Sequence, residues 1–516
     1  MSSSNEALPV VIIGAGPVGL AAAAQVLERG MTPLVLEAGP VVGHALRQWA
    51  HIRMFSPWEY NVDRSAAALL QRSGWEAPDP AQFPTGGELV ARYLEPLAAT
   101  PELAPHLRFG ARVTGVAKHG RDLMKHAGRD TQPWLVRYET TAADGNTDEH
   151  DVLARAVIDA SGTLHSPNPL GASGLPARGE RAALARIVYG MPDVLGGARR
   201  RYAGKRVLVV GSGHSAFNVL TDLARLPGAT IEWAVRRPSL RRVLGGGEND
   251  KLKERGLLGL RIARLVEEGA VRLHAGVQID RIEQTAGGLV AWSGGQALPA
   301  VDEIVATTGF RPDRALLAEV RLDLDPGTEA PSALAPLIDP NLHSCGTVRP
   351  HGALELRHHD AGLYEVGMKS YGRAPTFLLL TGYEQVRSVA AAIAGDWDAA
   401  QRVELVLPET GVCSTQFEAE EAAGCCGGPA PAGVDACCVS DAVAKEAGAS
   451  GCGCPETGTA PVQPAAADTP APVAAATPAR SATSATTATS AAAEPLATDR
   501  SPTLPAGRCC GTRRAA

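Results

Sequence analysis

One pattern occurs twice in this chain and restricts its fold more than any other feature: apolar run, glycine-rich turn, helix-period stretch, second apolar run. In the first copy, Pro9–Ile13 runs into Gly14-Ala15-Gly16-Pro17-Val18-Gly19. An Ala-rich helical pattern follows over Pro17–Gly30, and the apolar run Pro33–Leu36 then ends in Glu37. In the second copy, RVLVVGSGHSAFNVLTDLARL (206–226) is followed by TIEWAVRR (230–237). Strand, turn, helix and strand in that order build a parallel sheet, because two neighbouring parallel strands need a helical crossover between them.

The glycines give each turn its chemistry. Gly14 permits the tight turn, Gly16 lets backbone N–H groups approach a pyrophosphate, and Gly19 allows close strand–helix packing. The helix beginning at Pro17 turns its positive dipole end towards such an anion. Glu37 lies 23 residues after Gly14, at the end of the second strand, where a carboxylate can accept ribose hydroxyls. The second copy has Gly211, Gly213, Ser215 and Ala216, and its second strand ends in Arg236 and Arg237 with no acidic residue. A carboxylate there would repel a 2′-phosphate, whereas two guanidiniums would bind it bidentately, so this copy selects NADP over NAD. The expected fold class is α/β with two Rossmann-like dinucleotide-binding domains.

Between and after these copies lie a loop-like stretch, 38–65, with Trp49, Phe55, Trp58 and Tyr60, and a helix expected over 85–97, capped at Thr85. The β runs between 107 and 158 include the turn signal ADGN, a Pro/Gly-rich passage covers 162–204, and 302–310 is expected to run from strand into turn. A long apolar helix is expected over Ala374–Gly395, and another ending near Val406. After residue 412 the only aromatic is Phe417. About a hundred residues with one aromatic cannot bury enough apolar area to offset their ordering entropy, so 413–516 is expected to be a disordered tail. The Ala/Thr/Pro/Ser composition of 455–507 agrees with a linker.

Charge and cysteine usage exclude several classes. A net charge of −6 excludes a strongly basic nucleic-acid binder and gives no argument for an anionic membrane surface as partner. No stretch approaches about 18 consecutive apolar residues, and the N-terminus has no basic segment ahead of a long apolar run, so neither membrane span nor signal peptide is expected. Nine of the ten cysteines follow residue 412, and Cys345 stands alone in the body. That is not a disulfide scaffold, and a reducing, cytoplasmic setting is expected. The body also has no Cys-x-x-Cys, which removes the central group of a thiol–disulfide reductase. In the tail, Cys425-Cys426, Cys437-Cys438 and Cys452-Gly453-Cys454 are closely spaced thiols suited to a soft, thiophilic metal or metalloid ion. The adjacent pair Cys509-Cys510 is of the same kind, and zinc-type C-x₂₋₄-C spacing is absent. His358-His359-Asp360 reads as a polar loop rather than a ligand set.

Two dinucleotide units about 200 residues apart resemble the two-dinucleotide-binding-domain flavoproteins, in which FAD comes first and NADPH second. Asp159-Ala160-Ser161-Gly162-Thr163 and Ala306-Thr307-Thr308-Gly309-Phe310-Arg311-Pro312-Asp313 look like that group's segment beside FAD and its return from the NADPH domain. The resemblance implies an FAD domain from 1–165 and 301–412 and an NADPH domain from 203–300. Within the group, RQWAHIRMFSPWEYNVD, RVLVVGSGHSAFNVL and VGMKSYGRAPTFLLLTGYEQVRSVAAAIAGDW (366–397) resemble the ArsO-type flavin monooxygenases of arsenic-resistance operons. That implies NADPH reduction of FAD, activation of O₂ and oxygen transfer to a soft nucleophile such as a trivalent arsenical. Arg47, Trp49, Ser161, Gly162, Gly309, Gly382 and Gln385 would line FAD or the nucleotide channel, with a helix N-terminus near Gly382 facing the flavin. The aromatic-x-Gly-x-x-x-His fingerprint of many relatives has no histidine here: Tyr189-Gly190-Met191-Pro192-Asp193-Val194 stands in its place, and His214 stands where Asn is frequent. CCGGPAPAGVDACCVSDAVAKEAGASGCGC (425–454) resembles the cysteine-rich tails of actinobacterial arsenic and cadmium resistance proteins. The residues leave open a monooxygenase, an NADPH oxidase or electron-transfer flavoprotein without oxygen insertion, and a metalloid sequestration or delivery protein. They do not fix a catalytic residue or the oligomeric state.

Overall fold

A computed structural model describes residues 3–141, 145–239, 253–342, 348–374 and 377–405. Cys345 and all the tail cysteines, including Cys425, Cys426, Cys437, Cys438, Cys452 and Cys454, lie outside the described residues, as does the whole of 413–516.

The chain opens with β1 (Val10–Ile13), α1 (Pro17–Glu28), β2 (Pro33–Glu37), α2 (Arg64–Arg72) and β3 (Leu107–Phe109). A three-stranded antiparallel sheet follows, β4 (Ala111–Lys118), β5 (Trp134–Thr141) and β6 (Thr147–Ala154), and then β7 (Ala156–Asp159). The middle of the chain supplies β8 (Ile187–Tyr189), β9 (Arg206–Val210), α3 (His214–Leu223), β10 (Thr230–Ala234), α4 (Lys253–Glu267) and β11 (Val271–His274). A second antiparallel sheet, β12 (Ile279–Thr285), β13 (Gly288–Ser293) and β14 (Gln296–Ala297), leads to β15 (Glu303–Ala306). Then come β16 (Leu363–Glu365), α5 (Leu379–Ala394) and a last short helix, Trp397–Gln401.

Two five-stranded parallel sheets result. The first runs β16-β7-β1-β2-β3 and the second β11-β10-β9-β15-β8. In the first, β1 feeds β2 on one side and pairs with β7, which comes much later in the chain, on the other, with Ile13 level with both Leu36 and Asp159. In the second, β9 has β10 on one side and β15 on the other. The strand order therefore reverses at β1 and at β9, and each glycine turn leaves the sheet at such a reversal, where ligands of open α/β sheets bind.

Helix α1 is buried from Pro17 to Val26 and α5 from Thr381 to Ile393, so both are enclosed on every side, α5 with its polar Glu384, Gln385, Arg387 and Ser388 inside. They pack on each other: a Cβ at Gly382 would lie 2.7 Å from Val18 Cγ2. The helix expected over 374–395 begins at Leu379, and the last described helix, Trp397–Gln401, stops short of Val406. The expected helix at 85–97 is present, with Thr85 and Glu88 forming a reciprocal cap (Thr85 Oγ1 accepts the Glu88 N–H, and Glu88 Oε2 the Thr85 N–H) and its middle turn Val90–Leu94 widened to π geometry. The Pro/Gly-rich passage 162–204 holds a strand that its composition hides, β8, whose Ile187 pairs level with Ile304. Among the described residues no helix is long and apolar enough to cross a membrane.

Candidate functional site

At the first turn the glycines are fixed by close approach. Gly14 has φ +100°, and a Cβ on it would sit 2.9 Å from the Ala160 carbonyl oxygen. A Cβ on Gly19 would sit 2.0 Å from the Gly14 carbonyl oxygen, so helix and turn meet backbone to backbone. Gly16 is different: nothing lies within 4 Å of its Cβ position, and it caps α1 in an extended conformation. Gly162, at φ +71°, is equally open. The chain therefore presents two stretches of bare backbone beside a helix N-terminus, a cradle that fits the pyrophosphate of a dinucleotide. Glu37 braces the rim: its Oε2 accepts the Ala15 N–H and its Oε1 the Gly39 N–H, both at 2.7 Å. Each oxygen keeps a further lone pair with which to accept a second hydrogen bond.

Beneath this cradle sits a buried ionic group that patterns in the sequence do not announce. Asp159, at the end of β7, accepts from Lys369 Nζ at 2.7 Å, from the Ser161 N–H at 3.0 Å and from the Ser161 hydroxyl at 2.6 Å, and Lys369 also donates to Ser161 Oγ at 3.1 Å. Lys369 is carried by the turn Gly367–Tyr371, which a second network fixes. Gln385 accepts the Gly367 N–H through Oε1 and donates through Nε2 to Ser370 Oγ and to His351 Nε2. The His351 Nδ1–H donates to the Arg349 carbonyl, so Nε2 is the acceptor, and burial holds the imidazole below its ordinary pKa. Gln385 is thus placed as a fully buried brace of the turn, and Gly382 as the small residue that lets α5 touch Val18. Arg47 is exposed, pairs with Glu95 at 2.6 Å and reaches the Val42 carbonyl, while Trp49 packs over Gly86.

The second turn repeats the first with tighter constraints. Gly211 has φ +132°, and a Cβ there would lie 2.4 Å from the Thr307 carbonyl oxygen. Its carbonyl accepts the Trp233 indole N–H at 2.8 Å. Gly213, which caps α3, is exposed with nothing near its Cβ position, Ser215 is half-buried and Ala216 is packed in the core. Arg236 is exposed and Arg237 half-buried, just past the end of β10. The two connections between the sheets run side by side: the Asn168 N–H donates to the Gly309 carbonyl and the Arg311 N–H to the Ser166 carbonyl, both at 2.9 Å. Gly309, at φ +85°, thus lies in these paired connections rather than in either glycine turn. Tyr189 donates its hydroxyl to the buried Glu180 at 2.5 Å, and burial together with that carboxylate raises its pKa.

The polar loop 358–360 serves the fold. Asp360 forms a buried pair with Arg129 at 2.6 Å, and His358 Nδ1 accepts the Asp323 N–H. Among the described residues no group of three His, Cys, Asp or Glu side chains could hold a metal ion.

Comparison with known proteins places this architecture. Residues 11–124 and 136–333 match the family described as pyridine nucleotide-disulphide oxidoreductase. The chain is 30% identical over 228 residues to an indole-3-pyruvate monooxygenase of Oryza sativa subsp. japonica, covering 44% of this chain and 47% of that protein. It is 27% identical over 261 residues to a Baeyer-Villiger monooxygenase of Streptomyces coelicolor, covering 47% and 42%. The chain thus spans about half the length of the curated relatives it matches. In fold it is similar to the bacillithiol disulfide reductase Bdr of Bacillus cereus, with a TM-score of 0.55, 20% identity, and coverage of 75% of this chain and 99% of that one. With two cradles whose bare glycine backbone fits two dinucleotides, the chain belongs to the pyridine nucleotide-disulphide oxidoreductase family.

Proposed function

We propose that this protein is an NADPH-dependent flavin monooxygenase that oxygenates a small, soft nucleophile, with a trivalent arsenical as its substrate class. One observation carries the reading against the family's disulfide-reducing branch: the first cysteine in the chain is Cys345, past the last residue of the family match at 333. No thiol pair is thus available within the matched region to relay electrons from a flavin to a disulfide. Several curated relatives carry monooxygenase names, which agrees with oxygen as the electron acceptor.

In this reading the first cradle, Gly14 to Gly19 with Glu37, Ser161 and Gly162, holds FAD, and the second, Gly211 to Ala216 with Arg236 and Arg237, holds NADPH. Bound FAD would take a hydride from NADPH and supply the oxygen chemistry. The chain's own part is to bind and to orient. Bare backbone at Gly16 and Gly213 admits the two pyrophosphates, Arg236 and Arg237 pair with the 2′-phosphate, and the apolar loop carrying Trp49, Phe55 and Trp58 excludes water. The FAD half is assigned to 1–165 and 301–412 and the NADPH half to 203–300. The second sheet also draws on β8 and β15, outside 203–300. The closely spaced cysteines from Cys425 to Cys454 would capture a thiophilic ion and raise its local concentration.

The test follows NADPH oxidation in air with and without arsenite and methylated trivalent arsenicals, while peroxide and oxidised arsenic are quantified. Substrate-stimulated turnover with little peroxide and one oxidised product per NADPH is expected. Unstimulated turnover ending wholly in peroxide would overturn the oxygenation reading. Deletion of 413–516 is expected to leave turnover intact and to abolish stoichiometric arsenite binding.

A further inference from the structure

The aromatic loop of the first domain reaches the second glycine turn directly. Phe55 lies 5.5 Å, centroid to centroid, from the imidazole of His214, which is the first residue of α3 and immediately follows Gly213. His214 in turn meets Phe217 edge-on at 6.0 Å, Phe217 meets Trp233 edge-on at 6.0 Å, and the Trp233 indole N–H donates to the Gly211 carbonyl. Four rings therefore run from the first domain to the second turn, and the turn 211–214 is held at both ends by members of that row.

Phe55 is a fixed anchor for this row. The Met54 N–H donates to the Pro84 carbonyl at 2.8 Å, Arg53 Nη1 to the Phe83 carbonyl, and the Ser56 hydroxyl to Asn61 Oδ1 at 3.0 Å. His51, in the same segment, is near enough to Asp222, two turns along α3, for its charge to bear on that carboxyl. A segment pinned on its own domain thus touches α3 at its first residue.

We propose that Phe55 is a positioning residue for the pyridine nucleotide, setting the His214 ring and with it the turn that receives the pyrophosphate. Packed rings shift together rather than one at a time, so a change in the loop beside the first cradle is passed to the second, and binding at the second is passed back. This inference rests on the reading of 211–216 as the NADPH cradle.

A double-mutant cycle on the FAD-loaded enzyme tests it, with NADP⁺ affinity read from the flavin difference spectrum. Edge-to-face and tilted ring pairs are worth enough that Phe55→Leu and His214→Ala should each weaken NADP⁺ about threefold to tenfold. The double variant should be no weaker than the weaker single, because the second change removes a contact already lost. Phe55→Tyr, which keeps the ring, should bind NADP⁺ as the native enzyme does. If Phe55→Leu loses its flavin, Phe55→Met takes its place in the cycle. Effects that multiply, or a Phe55→Leu enzyme with unaltered NADP⁺ affinity, would overturn the coupling alone. A native enzyme whose flavin spectrum ignores NADP⁺ and which NADPH does not reduce would overturn the cradle reading itself, and this inference with it.

Discussion

Lys369 and Asp159 form an ion pair at 2.7 Å with side chains only 1% and 0% exposed, directly beneath the bare backbone of the first cradle. Neither charge reaches water, so each depends on the other for solvation. Lys369→Met would leave a buried carboxylate with only Ser161 for company and should cost about 3–5 kcal/mol of unfolding free energy. Pairing it with Asp159→Asn should recover much of that loss, because the uncompensated charge is gone. Denaturant titrations of the three variants measure this, and a double variant as unstable as Lys369→Met would refute it.

The two glycines of the second turn should separate folding from binding. Gly211→Ala forces an L-residue into φ +132° and drives a Cβ to 2.4 Å from a backbone oxygen that cannot retreat, so it should destabilise β9, α3 and the sheet they belong to. Gly213→Ala meets open space and an extended backbone, so the melting temperature should stay close to the native value. The new methyl should instead obstruct the pyrophosphate and raise KM for NADPH with FAD content unchanged. Equal thermal losses in the two variants would contradict the geometry.

Arg236→Glu with Arg237→Glu should lower the ratio of kcat/KM for NADPH over NADH by about tenfold to hundredfold, since losing charge-assisted hydrogen bonding at so exposed a site costs roughly 1.5–3 kcal/mol in all. Steady-state kinetics with both nucleotides decide it. An unchanged ratio would mean that the 2′-phosphate is read elsewhere.

The sequence made the two strand–turn–helix units legible because their signals are local: apolar periodicity switches from strand to helix across a glycine turn within one short segment. Strand β8 was not legible, since Ile187–Tyr189 is three residues in a Pro/Gly-rich passage and becomes a strand only by pairing with β15, over a hundred residues later. The same holds at the site. Glycine spacing exposed Gly14, Gly16, Gly211 and Gly213, but Lys369 meets Asp159 across 210 residues, and nothing near VGMKSYG marks it as half of a pair. The one available signal was a lysine set among small and apolar residues, which burial obliges to find a partner. Gln385 is visible in the sequence only as a polar residue early in α5, and its hold on the Lys369 turn comes from tertiary packing.

Two buried groups should pull stability in opposite directions across mildly acidic pH. Burial pushes the Asp63 carboxyl up to about 6 from its ordinary 3.8, so the folded protein holds a proton there that the unfolded chain has released. Its contribution is fully present below pH 3.8 and is lost as pH rises through about 6. His351 is shifted the other way: burial lowers its pKa, so the unfolded chain binds the proton first, and stability is lost as pH falls below the ordinary value of 6.5. Protonation would also place an N–H of His351 against the donating amide of Gln385. Asp63 caps α2 by accepting the Ala66 N–H, a role that asparagine fills equally well. Asp63→Asn should therefore stabilise the protein by on the order of 1–3 kcal/mol at pH 8, from a shift worth roughly 1.4 kcal/mol per pH unit, and by almost nothing at pH 4. Unfolding titrations of the native and Asp63→Asn proteins between pH 4 and 8 should diverge upward with pH. Curves that stay parallel would show that Asp63 ionises in the fold as it does in water.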